Sequence, residues 1–289
     1  MAIRLLAALI ALGLLHLQPQ LACWRGDAGF RRWVHQLGDT SGPGRVVITL
    51  LVPVAVCALA IWLLHRLPLS ALLLLLFSLA VLLFSLGPHP FEADLVAILK
   101  APDQSSREAA AQVLSDDGET VAWRTADLGE ATAYAALRRR FGVLFWFFVL
   151  GPIGALLYRL ARQLGHDASL ALDAQARIKA RYVANALDWL PAQLLVFTLA
   201  LVGHWDAVIG AWRRWHQQAA PNSWYLSNPD FLGAAARADV LTDIEGGDGF
   251  VEERTDALHE LRRLRDALLR ALLAWLSVVA LIVMGSWLH

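Results

Sequence analysis

The chain has 289 residues, 57% of them hydrophobic and 17% charged, with a mean hydropathy of +0.50. That balance lies far to the apolar side of a soluble domain and marks an integral membrane protein. The formal net charge is zero, which removes any electrostatic ground for nucleic acid as a partner. The two cysteines, Cys23 and Cys57, imply neither a disulfide framework nor redox chemistry.

In chain order, the first segment carries Arg4 ahead of an apolar core and small residues before Cys23, the outline of a signal peptide with a poor cleavage site. It reads as a retained membrane-embedded or interfacial helix over residues 3–15. Uncharged runs long enough for the hydrocarbon core follow at Val46 to Leu64, Leu67 to Pro88, Phe141 to Tyr158 and Ala271 to Leu288. A fifth, Tyr182 to Gly203, carries Asp188 and Pro191, and Pro191 reads as a helix break that leaves the segment spanning or re-entrant. The predicted fold is therefore all-α, a polytopic helical membrane protein with about five transmembrane helices plus an N-terminal membrane-associated helix, forming a single membrane domain over 1–289.

Two polar regions, 89–140 and 204–266, are expected on the cytoplasmic face, because arginines collect beside them. On this count Arg31, Arg32 and Arg45 share their side, while Arg159 to Arg181 fall on the other. The first region contains a short helix with capping-box spacing from Ser105 to Glu108. The second contains leucines at 258, 261, 264 and 268, the period of a helix that continues into the last span.

No nucleotide-binding, zinc-protease, nucleophile-elbow or paired-cysteine signature is present, so neither a metal site nor a cofactor is expected. The acidic cluster Asp243, Glu245, Asp248, Glu252 and Glu253 lacks the register of a calcium loop and reads as a solvated turn. Tryptophans such as Trp212 and Trp215 flank the runs as an interfacial belt. Asp188 is an ionisable group in an apolar run, either a functional polar site or an interfacial cap ahead of the true span. Gly151, Pro152 and Gly154 suit close helix packing and a kink, and Arg159 either snorkels to headgroups or joins Asp188. Between two hydrophobic segments lies the polar loop "APNSWYLSNPDFLGAAAR", with Pro221, Asn222, Asp230 and Arg237.

Taken in order, "LGPIGALLYR", "ALDWLPAQL" and the "PN" loop resemble the AmpE family and, more distantly, the CobD/CbiB family of membrane synthases that make adenosylcobinamide phosphate. Asp188, Trp189, Pro191 and Leu194 are similar to the AmpE pattern D-W-x-P-x-x-L, and Pro221 and Asn222 to the S-S-P-N loop of the synthases. The synthases' E-N-x-x-D-G and N-T-x-D segments are replaced by "YAALRRRFGVLFW" and "RLARQLGHDASL". The resemblance to AmpE implies a non-enzymatic inner-membrane modulator of β-lactamase induction and cell-wall recycling. It also implies a small-molecule or muropeptide-type ligand, an AmpD-like amidase as partner and the lipid bilayer as surroundings. A cytoplasm-facing pocket built from Asp188, Arg159, Pro221, Asn222, Asp230 and Arg237 would hold the ligand. The alternative is a membrane-embedded ligase or transferase of the cobamide-synthase type acting on a phosphorylated small molecule.

Overall fold

The structure, a computed structural model, describes residues 1–17, 28–37, 43–87, 91–115, 120–170, 172–220, 224–245 and 257–285. Among them every regular element is helical. The elements fall into two compact units, Met1–Pro90 with Gly142–Leu187 and Val279–His289 in the first, and Phe91–Phe141 with Asp188–Val278 in the second.

The first unit opens with α1 (Ala2–Leu17), followed by α2 (Ala28–Gln36), α3 (Pro43–Leu64) and α4 (Ser70–Ser85). Ala7, Ala8 and Ala11, spaced for one helix face, are fully buried where α1 packs on α4, so small side chains bring the two backbones close. The segment read as a retained N-terminal helix is thus an integral part of this unit.

The run expected to cross at Phe141 to Tyr158 does not cross as one helix. It divides into α8 (Gly142–Leu150) and α9 (Pro152–His166), joined at Gly151 with φ 73°. An L side chain disfavours that backbone, and Pro152 then sits ready at the first turn of α9. The arms fold back on one another. A Cβ at Gly142 would collide with the Tyr158 ring, and one at Gly154 with the Trp146 carbonyl. Nine residues of α8 reach about 14 Å, less than half the hydrocarbon thickness. Arg4 of α1 closes the turn by donating to the Phe148 and Val149 carbonyls at 2.9 and 3.0 Å, satisfying helix-end acceptors that lipid cannot.

The long helix α10 (Ala174–Val202) is continuous through Pro191, which corrects the expected helix break. Proline has no N–H for the carbonyl four residues back, that of Leu187. The Trp146 indole donates to that carbonyl instead, at 3.0 Å, so the lost bond is replaced from outside the helix. Trp146→Phe should therefore cost about 1–3 kcal/mol by orphaning the Leu187 carbonyl. Adding Pro191→Ala, which restores the backbone donor, should recover most of the loss in melting temperature. Additive losses in the double variant would remove this account of Pro191.

Among the described residues three helices are long and apolar enough to cross a membrane, Gly44–Leu64, Ala174–Val202 and Ala257–Gly285, against the expected five. Besides the α8–α9 hairpin, the shortfall comes from α4. Its 16 residues reach about 24 Å, because the left-handed Leu69 (φ 64°) and Gly87 (φ 81°) bound it more tightly than hydrophobicity suggests.

The second unit comprises α5 (Phe91–Lys100), α6 (Gln104–Ala111), α7 (Thr125–Ala136), a π-helical turn Leu137–Phe141, α10 from Asp188 onward, α11 (Trp205–Gln218), α12 (Asp230–Glu245) and most of α13 (Ala257–Gly285). Asp103, rather than the expected Ser105 capping box, caps α6 by accepting from the Ser106 amide. Hydrogen bonds from Ser105 and Ser106 hold its carboxyl down to about 2. The leucine period of α13 appears as expected, with Leu258, Leu261, Leu264 and Leu268 all buried. α12 packs against both α7 and α11, which makes it the spine of the unit.

Candidate ligand pocket

The repeat Asp127, Glu130, Tyr134, Arg138, at spacings of three and four, puts four polar side chains on one face of α7 and its extension. That face meets the start of α12. Gly233 allows the approach, since a Cβ there would collide with the Glu130 carboxylate, and Gly129 leaves 3.0 Å between such a Cβ and Val240. The result is a cavity of about 470 Å³ lined by these four residues together with Asn228, Asp230 and Arg237. The volume suits a small molecule.

Successive residues of a helix point in different directions, so the π-helical turn sends its three arginines to different partners. Arg138 points into the pocket, donating to Asn228 Oδ1 at 3.3 Å with its guanidinium over the Tyr134 ring at 5.1 Å. Arg139 pairs with Asp94 at 2.6 Å, and Arg140 with Glu92 at 2.7 Å. Arg265 of α13 also pairs with Glu92, at 3.0 Å, so α5, the π turn and α13 are tied by one carboxylate.

Charge is divided along the cavity. Arg237 is taken up by Asp127 at 2.8 Å and by Glu130. Tyr134 donates to the Pro229 carbonyl at 3.3 Å, with its oxygen 3.5 Å from Asp230 Oδ1. Burial, then the nearby Glu130 charge, pushes the Asp230 carboxyl above its ordinary value. Burial, then the Asp230 and Glu130 charges, pushes the Tyr134 phenol up as well, so it stays a neutral donor. One wall is therefore anionic, Glu130 and Asp230. The other presents the Arg138 guanidinium and the Asn228 side-chain amide, which favours an anion.

Behind the pocket, α12 carries a second polar network. Asp239, 4% exposed, accepts from the His204 backbone amide at 2.9 Å, from His204 Nδ1 at 3.0 Å and from Arg263 at 2.9 Å. The carboxylate is acceptor-only, which places the imidazole proton on Nδ1. Arg263 also reaches Glu260 at 2.8 Å and Asp243 at 3.4 Å. A Cβ at Gly203 would strike Asp239, so glycine is required at that corner.

The expected site is only partly reproduced. Asp230 and Arg237 share the pocket, and so does Asn228 from the quoted loop, whereas Pro221 and Asn222 lie outside the described residues. Asp188 is not an interfacial cap. It is fully buried, fourteen residues into α10. Arg159 belongs to the first unit, its guanidinium 3.3 Å from where a Gly87 Cβ would sit, and neither it nor Asp188 lines the cavity. The acidic cluster is no solvated turn at Asp243, which is tied to Arg263, while 248, 252 and 253 lie outside the described residues. Trp212 and Trp215 are likewise not a free belt. Trp212 donates to Gln193 at 2.6 Å and Trp215 stacks edge-on against Phe231. The residues missed are Asp127, Glu130, Tyr134 and Arg138. Their spacing is the available signal, masked by the three consecutive arginines in which it ends.

Fold and pocket together define an all-helical protein with three membrane-length helices and a polar, oppositely charged cavity. The chain is similar to the cobalamin biosynthesis protein CobD of Chromobacterium violaceum, 33% identical over 214 residues that take in 71% of this chain and 65% of that protein. The match thus covers slightly less than two thirds of the relative's length. No protein-family model matches the chain, and no solved structure matches it. Of the two resemblances, this similarity bears on the cobamide-synthase one.

Proposed function

We propose that the protein is a membrane-embedded ligase or transferase of the cobamide-synthase type, acting on a phosphorylated small molecule that carries an amine. The observation that carries this reading is the divided charge of the 470 Å³ cavity, and the likeness to CobD supports it. Glu130 and Asp230 would hold the ammonium group, with Arg138 and Asn228 holding the phosphate. Asp230, with its carboxyl raised by burial and by Glu130, is the group best placed to take the proton that an amine must lose before it attacks a carbonyl. On this reading Glu130 of α7 and Asp230 of α12 would supply the carboxylates that amide ligation uses, in place of those in the replaced synthase segments.

The test is thermal stability of the detergent-purified protein with aminopropanol phosphate, ethanolamine phosphate or anhydro-muropeptide fragments. A ligand at about 100 times its dissociation constant stabilises by about 2.7 kcal/mol. Aminoalkyl phosphates should raise the melting temperature, Glu130→Gln and Arg138→Gln should each abolish the rise, and corrinoid acid with ATP and magnesium should then yield amide product. Stabilisation by muropeptide fragments alone would instead support the AmpE-like modulator, with its amidase partner.

A further inference from the structure

The first unit has one strongly basic end. Phe30 and Val34 of α2, Val46 and Leu50 of α3, Leu160 and Leu164 of α9, and Ala176 and Ala180 of α10 form a single buried cluster. The start of α3, the end of α9 and the start of α10 therefore lie together, which corrects the expectation that Arg31, Arg32 and Arg45 are on one side and Arg177 to Arg181 on the other. Around this cluster Arg31, Arg32 and Arg181 are exposed and Lys179 is half-buried. α2 is amphipathic, turning Phe30 and Val34 inward and Arg31 and Arg32 outward, the build of a helix lying in a membrane interface.

Acidic side chains offset this surface only in part. Among the described residues of the first unit only Asp167 and Asp173 are acidic, against Arg31, Arg32, Arg177, Lys179 and Arg181. Asp167 bonds the Ser169 amide at 2.9 Å and hydroxyl at 2.6 Å, and Asp173 the Ala176 amide at 3.4 Å, so neither carboxylate is paired with these cations by those bonds. Arg177 and Arg181 donate to the Leu170 and Gly165 carbonyls at 2.9 and 3.3 Å, which leaves their charges in place. The other end of α3, 22 residues and about 33 Å away, carries Arg66 over Trp62 at 4.9 Å. Basic side chains thus gather at one end of a membrane-length helix. The charge of a cytoplasmic leaflet is complementary to that end.

We propose that this end of the first unit sits on the cytoplasmic leaflet and binds anionic phospholipid headgroups through Arg31, Arg32, Lys179 and Arg181. The site is separate from the α7–α12 pocket and does not depend on the function proposed for it.

The experiment uses the full chain in nanodiscs of phosphatidylcholine alone or mixed with phosphatidylglycerol. Phosphatidylglycerol should raise the melting temperature and remain bound in native mass spectra, and added salt should erase both effects. Arg31→Gln, Arg32→Gln, Lys179→Gln and Arg181→Gln together should remove the preference, with lipid affinity falling on the order of fivefold for each charge neutralised. In a Cys23→Ser, Cys57→Ser background, Ile178→Cys should react only from the cytoplasmic side. Equal behaviour in the two lipid compositions, an unchanged preference in the fourfold variant, or periplasmic labelling at 178 would each overturn the proposal. If the fourfold variant fails to fold, the salt titration of the unaltered chain decides the matter.

Discussion

Replacing Asp239 by Ala should lower the stability of the detergent-solubilised protein by about 3–5 kcal/mol, the largest effect expected of any single change in the second unit. The carboxylate is nearly inaccessible and is the shared acceptor of the His204 amide, the His204 imidazole and the Arg263 guanidinium. Its removal strands a partly buried arginine among groups that solvent reaches poorly. Glu260 and Asp243 retain hold of Arg263, so the loss should fall toward the lower end of that range. Asp239→Asn should be milder, since one oxygen still accepts. Gly203→Val should give a comparable loss by a different route, its side chain displacing the same carboxylate. A melting temperature for Asp239→Ala within error of the unaltered protein would show that the network contributes nothing to stability.

The second large effect is on binding, and its sign follows from Asp230. Burial and Glu130 raise its folded-state pKa above the unfolded value. Ionised Asp230 costs stability above that raised pKa, and the cost is relieved as pH falls through it. An ammonium group needs the ionised form and competes with the proton. Affinity for an aminoalkyl phosphate should therefore be flat above the raised pKa and fall by up to about tenfold per pH unit below it. Asp230→Asn should weaken binding at high pH and flatten the acid side of the profile. Calorimetry across the pH series measures both, and an unaltered profile in the Asn variant would show that Asp230 is not the proton site.

Much of the fold is legible in hydropathy, and its failures share one cause. The period of α13 and the packing role of Gly154 follow from residue spacing, because helix faces are set locally. Hydropathy cannot separate a span from a hairpin, since Phe141 to Tyr158 is equally apolar either way. Only the positive φ at Gly151 and the clashes at Gly142 and Gly154 decide it. The start of α10 thereby lies beside α2 and the start of α3, and the basic residues after Tyr158 are near Arg31 and Arg32. Pro191 misled for a related reason, as proline breaks a helix only when nothing else bonds the abandoned carbonyl, and Trp146 lies forty-one residues away from it. The pocket was half visible. Asp230 and Arg237 stood out in a loop, whereas Glu130 and Tyr134 are unremarkable letters until α12 is laid beside them.

The Arg4 clasp also has a bearing on how the chain is made. Arg4 and its acceptor at Phe148 are 144 residues apart, and the ribosome synthesises them in that order. At about 5–20 residues per second, α1 exists for roughly 7 to 30 s before its seat on the hairpin has been translated. Throughout that interval the guanidinium must be kept by water, headgroups or an insertion factor, and the α8 carbonyls have no clasp when they first emerge. Completion of the first unit is thus a late event in biogenesis, and a chain stalled before Gly151 would hold α1 on α4 with its Arg4 unclasped.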